Sequence, residues 1–158
     1  MSITRGLLLG TVVVLLGWVG SGCSSYRSDA RAARRAEASA TGSSAGIEGL
    51  WVGRWASDKD PSHGGRMEMV VTRTGDTLYR GASRAWWWRV FRSSYDTKLV
   101  VTPVRPGEYL IQGGRNLWAF GDYGLTGRVD TARLEGAYRV GRHGGKVVLT
   151  RAGADGAP

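Results

Sequence analysis

Cysteine is nearly absent: the 158-residue chain has one, Cys23. A single thiol excludes an internal disulfide and any zinc site built on several cysteines. Histidine is almost as scarce, with only His63 and His143. Both stand in His-Gly-Gly followed by a basic residue and a strand-like run, which reads as two equivalent turns. Carboxylates such as Asp58, Asp60 or Asp122 would have to complete a metal site, and they follow no ligand spacing. No metal and no cofactor is expected. No Gly-x-Ser-x-Gly elbow joins a strand to a helix. The acidic residues fall mostly on turns or outward strand positions, away from the convergent pair that glycoside hydrolysis needs. The chain is not expected to be an enzyme.

Also missing is an apolar run of the about 20 residues that cross a bilayer comfortably. The chain instead opens with Arg5, then "GLLLGTVVVLLGWVG" over residues 6–20, then the small residues Ser21 and Gly22 before Cys23. A positive start, a short apolar core and small residues at its end are the layout of a secretory signal, here residues 1–22. A retained anchor helix is the alternative. The stretch "VGSGC", residues 19–23, resembles the lipobox of bacterial lipoproteins. That resemblance implies that Cys23 becomes the mature N-terminus and carries a diacylglyceryl thioether and an N-acyl chain, with palmitate-type acyl groups. Two or more chains suffice for stable anchoring. It also implies export and attachment to a cell-envelope membrane, with the domain facing the periplasm or the surface. Ser24 replaces the Asp of the best-known inner-membrane retention rule, which favours the outer membrane.

Residues 23–46, "CSSYRSDARAARRAEASATGSSAG", are rich in Ala, Ser, Gly and Arg and read as a flexible tether spanning about 25 to 30 Å. A short helix over residues 30–38 would have no apolar stripe with which to pack. Arg27, Arg31, Arg34 and Arg35 lie near the anchored end, either as solvated charges or beside anionic headgroups. Of the 22 basic side chains only Arg5 falls within residues 1–22, so 21 remain against 13 acidic ones. Such a surplus suits anionic lipid, lipopolysaccharide or a cell-wall polymer in an exported protein, and also an ordinary soluble barrel surface. No nucleic-acid partner is expected.

From Ile47 to Arg151 short alternating runs are cut by Gly, Pro, Asp and Asn. Strands are predicted near 50–57, 66–73, 77–84, 86–92 running on towards 95–103, 108–113, 123–130, 133–140 and 146–151. About eight strands with short turns predict an all-β domain over 47–151, an antiparallel meander barrel with a small sandwich as the alternative. Residues 152–158 read as a disordered tail. Alternation places Trp51, Gly53 and Trp55 on one face of the first strand, opposite Arg54. Met67, Met69, Val71, Val101, Ile111, Leu125, Val129, Leu134, Gly136, Tyr138, Val147 and Leu149 join that inner face.

The run "GLWVGRW", residues 49–55, resembles the first-strand Gly-x-Trp signature of lipocalin-like barrels, of the kind found in small exported lipoproteins. The resemblance rests on Gly49, Trp51, Gly53 and Trp55 and implies that the tryptophan closes one barrel end. The domain is short for a roomy cavity, so a packed interior is the simpler expectation. The run "RAWWWRVF", residues 84–91, puts large aromatics on both faces of a strand. An outer ring would lie under a loop, or would form an aromatic platform among Arg84, Arg89 and Arg92 for glycan, headgroup or protein. Trp51, Trp55, Trp86, Trp87, Trp88 and Tyr138 are thus the candidate residues for an apolar or amphipathic ligand, or for an envelope lipid, glycan or protein partner. A structural or protein-interaction module with a filled barrel and an outer aromatic patch is the competing function.

Because the strands begin more than twenty residues after Cys23 and contain no thiol, Cys23→Ala should leave the β-domain folded yet move the protein from membranes to the soluble fraction. Cell fractionation with a high-salt wash checks this. Retention in the pellet with the signal uncleaved would instead make residues 6–20 an anchor helix.

Overall fold

Period-two alternation makes each strand apolar on one side, and that one-sided pattern is satisfied when the sheet curls shut. The computed structural model describes residues 23–39, 46–60, 62–87, 91–117 and 121–153. The expected signal, the end of the expected tail and Trp88 lie outside them. The helix α1 (Cys23–Ser39) precedes eight strands: β1 (Gly49–Ser57), β2 (Gly64–Arg73), β3 (Leu78–Trp87), β4 (Phe91–Arg105), β5 (Glu108–Asn116), β6 (Asp122–Val129), β7 (Arg133–Val140) and β8 (His143–Arg151). Each strand pairs antiparallel with its sequence neighbours, and β1 pairs with β8, so the meander closes into a barrel and not a sandwich.

The inner face is the predicted one. Trp51, Met67, Met69, Val71, Leu99, Val101, Ile111, Leu125, Val129, Leu134, Val147 and Leu149 form the barrel core. Charged residues such as Arg54, Arg66, Arg128 and Glu135 face outward and are mostly exposed. An apolar interior inside a charged exterior is the reverse of a membrane-spanning barrel, whose outer band must be apolar. Among the described residues no helix is long and apolar enough to cross a membrane.

Three details differ from the sequence expectation. β3 runs on through Trp86 to Trp87, which pairs with Phe91 at the start of β4. The run from Trp86 to Phe91 carries no Gly, Pro or Asn to mark a break, which is why the sequence placed the strand break earlier. Ala152, expected in the tail, still donates its N–H to the Leu50 carbonyl at 2.8 Å. The third difference is the largest: most of the expected flexible tether is α1, and it packs against the barrel wall. Its stripe is Tyr26, Ala30 and Ala33, spaced i, i+4, i+7, against Leu50, Val70 and Ala82. Those three outward residues are direct cross-strand partners, Leu50 with Val70 and Val70 with Ala82. Alanines let the helix approach closely, so a narrow stripe suffices.

Gly145, buried opposite Tyr138 on β7, shows how tightly the wall is drawn. A methyl group there would overlap the Ala56 carbonyl oxygen and the Tyr138 ring. Gly145→Ala should therefore cost about 1–3 kcal/mol, the range for overpacking. At Gly124 an added Cβ meets nothing within 4 Å, and Gly124→Ala should stay within about 0.5 kcal/mol of the parent. Urea midpoints of the two variants provide the comparison.

Candidate functional site

The two barrel ends differ in chemistry. At the end where β1 begins, the Trp51 ring is fully buried and its Nε1 donates to the Ile47 carbonyl at 2.9 Å. The Arg151 guanidinium lies 4.9 Å from the centroid of that ring and donates to the carbonyl oxygens of Glu48 (2.6 Å) and Gly46. Trp51 thus closes this end, as expected, and is no part of an open site. Outside the same end, Glu108 bridges Arg105 and Arg128 while Arg133 pairs with Glu135. These charges line a shallow hollow of about 220 Å³ and satisfy one another.

The opposite end is aromatic. Trp55 lies 5.8 Å from Trp87, 6.0 Å from Tyr138 and 5.4 Å from His63, ring centroid to ring centroid. Its Nε1 donates to the Trp86 carbonyl at 3.2 Å, tying β1 to the end of β3. Three of the predicted residues, Trp55, Trp87 and Tyr138, are therefore brought together. The two His-Gly-Gly repeats also sit at this end, leading into β2 and β8 on either side of β1. Among the described residues no group of three His, Cys, Asp or Glu could hold a metal ion.

Below this aromatic end the β3–β4 wall turns polar. Ser83, Ser93, Tyr95 and Thr97 occupy inward positions, and Tyr123 on β6 meets Tyr95 edge to face at 5.1 Å. Ser83 and Thr97 are each 1% exposed and Tyr123 4%. The hydroxyls of Ser83, Ser93, Thr97 and Tyr123 are buried without a hydrogen-bond partner among the described residues. The Tyr95 hydroxyl lies close to those of Tyr123 and Ser83, near enough to influence their ionisation and its own. An unmet buried hydroxyl costs about 1–3 kcal/mol, so Ser93 and Thr97 beside the Tyr95, Tyr123 and Ser83 cluster are an unusual expense for a wall that has only to be filled. Sequence reasoning missed them. Carrying the alternation through Gly81, Ser83 and Ala85 into the next strand would have found them, had the end of β3 been placed correctly.

Trp86 faces outward, flanked by Arg66 at 5.4 Å and Arg84 at 5.8 Å. Arg84 also lies 3.9 Å from the centroid of the Tyr26 ring on α1. The Tyr26 hydroxyl donates to Glu68, which is 5% exposed and accepts from Arg66 at 2.7 Å. Asp29 pairs with Arg80 at 2.6 Å. Contacts of Tyr26 with Arg84 and of Asp29 with Arg80 fix the direction of α1. It starts near the aromatic end and runs towards the Trp51 end, because β3 runs the other way. Cys23, its first residue, is therefore one helical turn beyond Tyr26 on the aromatic side.

Against known proteins, no family model matches this chain, and no curated protein or solved structure matches it.

Burial raises the pKa of Tyr26, with the Glu68 carboxylate adding to it, and burial likewise raises Tyr123, Tyr95 and Tyr138. An unfolded tyrosine titrates near 10. Below that pH both states hold the proton and the full stability is present; above it the unfolded chain ionises first, and stability falls as pH rises towards the higher folded values. The urea midpoint should therefore drop from about pH 10 upward, with tyrosinate absorbance appearing together with unfolding. Tyrosinate formation in a chain that keeps its barrel circular dichroism would contradict the burial argument.

Proposed function

We propose that the chain is a lipid-anchored, non-enzymatic protein of the bacterial cell envelope, acylated at Cys23, whose barrel takes an amphipathic small molecule at its aromatic end. The observation that carries the ligand reading is the set of unmet hydroxyls on Ser83, Ser93, Thr97 and Tyr123 below Trp55, Trp87 and Tyr138. Aromatic rings receive an apolar body, while the hydroxyls supply donors and acceptors for a polar group, the usual division of labour in a small-molecule site. The direction of α1 supports the anchoring part, because it brings Cys23 to the same side as the aromatic end. A ligand drawn from the membrane would then have a short path. An outer membrane in an exported setting remains the favoured location, on the resemblance of "VGSGC" to a lipobox.

A second reading has its own support. The half of the barrel around Trp51 is filled, and Leu78, Val100, Val104 and Leu110 expose apolar side chains on the outer face of β3 to β5. A filled barrel that works as a protein-interaction module would use such a surface.

The test is mass spectrometry of lipids and metabolites retained by the purified full chain, repeated on a Ser83→Ala/Thr97→Val variant. The proposal expects a bound amphiphile in the parent and its loss in the variant. It also expects the ligand-free variant to gain about 1 kcal/mol of stability, because unmet hydroxyls are removed. A parent that carries no amphiphile and shows no tryptophan quenching by added ones would hand the barrel to the second reading.

A further inference from the structure

The flank of α1 presents a feature that neither the barrel interior nor the anchor uses. Arg27, Arg31 and Arg34 repeat the i, i+4, i+7 spacing of the packed stripe, one residue further on, so they line one side of the docked helix. Between that side and the barrel wall lies a groove of about 270 Å³, bounded by Tyr26, Arg27, Ala30, Arg31, Arg34, Glu68 and Arg84. Four of its lining residues are arginines. None of the four forms an ion pair with a described carboxylate. Glu68, the one acid in the groove, is already engaged by Arg66 and by the Tyr26 hydroxyl. The Nε of Arg84 is buried with no hydrogen-bond partner among the described residues.

From this convergence we infer that the groove between α1 and the barrel binds a phosphate group, as a phosphoester. Guanidinium groups offer paired N–H donors that match the oxygens of a phosphate, and several around one site act together. The volume suits a phosphate with a small substituent and excludes a bulky ring system buried whole. Arg84 adds a guanidinium from the barrel wall to those on the flank of α1, so positive charge meets the anion from two sides of the groove. Burial of the Tyr26 ring beneath Arg84 holds that guanidinium in place, so little side-chain freedom remains to be lost on binding. The phosphate could belong to a lipid headgroup or to a soluble ester; the chemistry of recognition is the same.

Isothermal titration of inorganic phosphate into the full chain in neutral detergent micelles tests the site. Arg31→Gln/Arg34→Gln, two exposed positions whose change leaves the packed stripe intact, should weaken binding about ten-fold or more, given the strength of charge-assisted hydrogen bonds. Arg84→Gln should do the same. Arg139→Gln, exposed on β7 outside the β1–β3 wall that α1 covers, should leave binding within two-fold, about the effect of a distant screened charge. The Ser83→Ala/Thr97→Val chain should bind phosphate as the parent does, which separates this site from the barrel interior. Adding phosphatidylglycerol to the micelles identifies the source: competition with phosphate assigns a lipid headgroup, and no competition assigns a soluble phosphoester. Equal loss in Arg139→Gln and in the groove variants would reduce the effect to net charge and overturn the site, as would a parent that takes up no phosphate.

Discussion

Everything in this fold depends on the pairing of β1 with β8. It joins Trp51 to Arg151, Gly53 to Leu149 and Trp55 to Val147, and it converts a meander with two open edges into a sheet with none. Closure fixes an inside and an outside for every strand at once. A one-residue slip in any pairing would exchange the two faces, sending Trp51 and Met69 to solvent and Arg54 and Glu68 into the core. The apolar pattern and the backbone ladder therefore enforce each other. Glycine is what makes the tight curvature feasible at Gly145, where Tyr138 lies across the wall and no side chain could fit.

The outside is less uniform than the inside, and α1 is the reason. Where the helix lies, Leu50, Val70 and Ala82 replace the polar residues that a solvated wall would carry. Glu68 is a charge placed on an outward position and then covered. It is tolerated because Arg66 and Tyr26 both bind it; a buried carboxylate without such partners would be strongly disfavoured. The Tyr26 hydroxyl consequently has two roles, holding the helix and satisfying the acid. The exposed pairs around Glu108 contribute little by comparison, since water screens them.

Much of this was legible from the residues, and the failures are specific. Strict alternation in "LWVGRWAS" and "GRMEMVV" identified the inner face, and the Gly-rich turns at 73–77 and 105–108 located hairpins, while the turn read at 142–146 falls earlier, at 141–142, with His143 already in β8. Strand number pointed to a closed meander with a small sandwich as the alternative, and the β1–β8 pairing decides between them. The end of β3 was misplaced because the run from Trp86 to Phe91 carries no Gly, Pro or Asn to mark a break, and with it went the phase of Ser83, Ser93 and Thr97. The docking of the helix, expected only as a short unpacked piece over 30–38, was missed for another reason. Alanine carries almost no weight in a hydropathy pattern, and the matching row of Leu50, Val70 and Ala82 becomes contiguous only when the register across three strands is known. Of the six aromatic candidates, Trp55, Trp87 and Tyr138 gather at one end, Trp51 plugs the other and Trp86 stacks outside among arginines; single-strand parity cannot tell a rim from a plug.

The polarity of α1 links features that the sequence keeps apart. Tyr26 meets Arg84 while Asp29 meets Arg80, so the helix descends from the aromatic end to the Trp51 end and β1 is entered from there. An anchor at Cys23, as proposed, would hold the barrel by the side of its aromatic end, with the helix as a stiff strut in place of a coil of 25 to 30 Å. Residues 27 to 34 rise about 10 Å along the helix axis, so the arginine flank would begin at the depth of the headgroups and lead away from them. Tryptophan and tyrosine favour that same interfacial depth, with an apolar body and a polar edge. The start of the strut, the first of its arginines and the aromatic end would thus sit at one surface together, an arrangement that a long flexible tether could not impose.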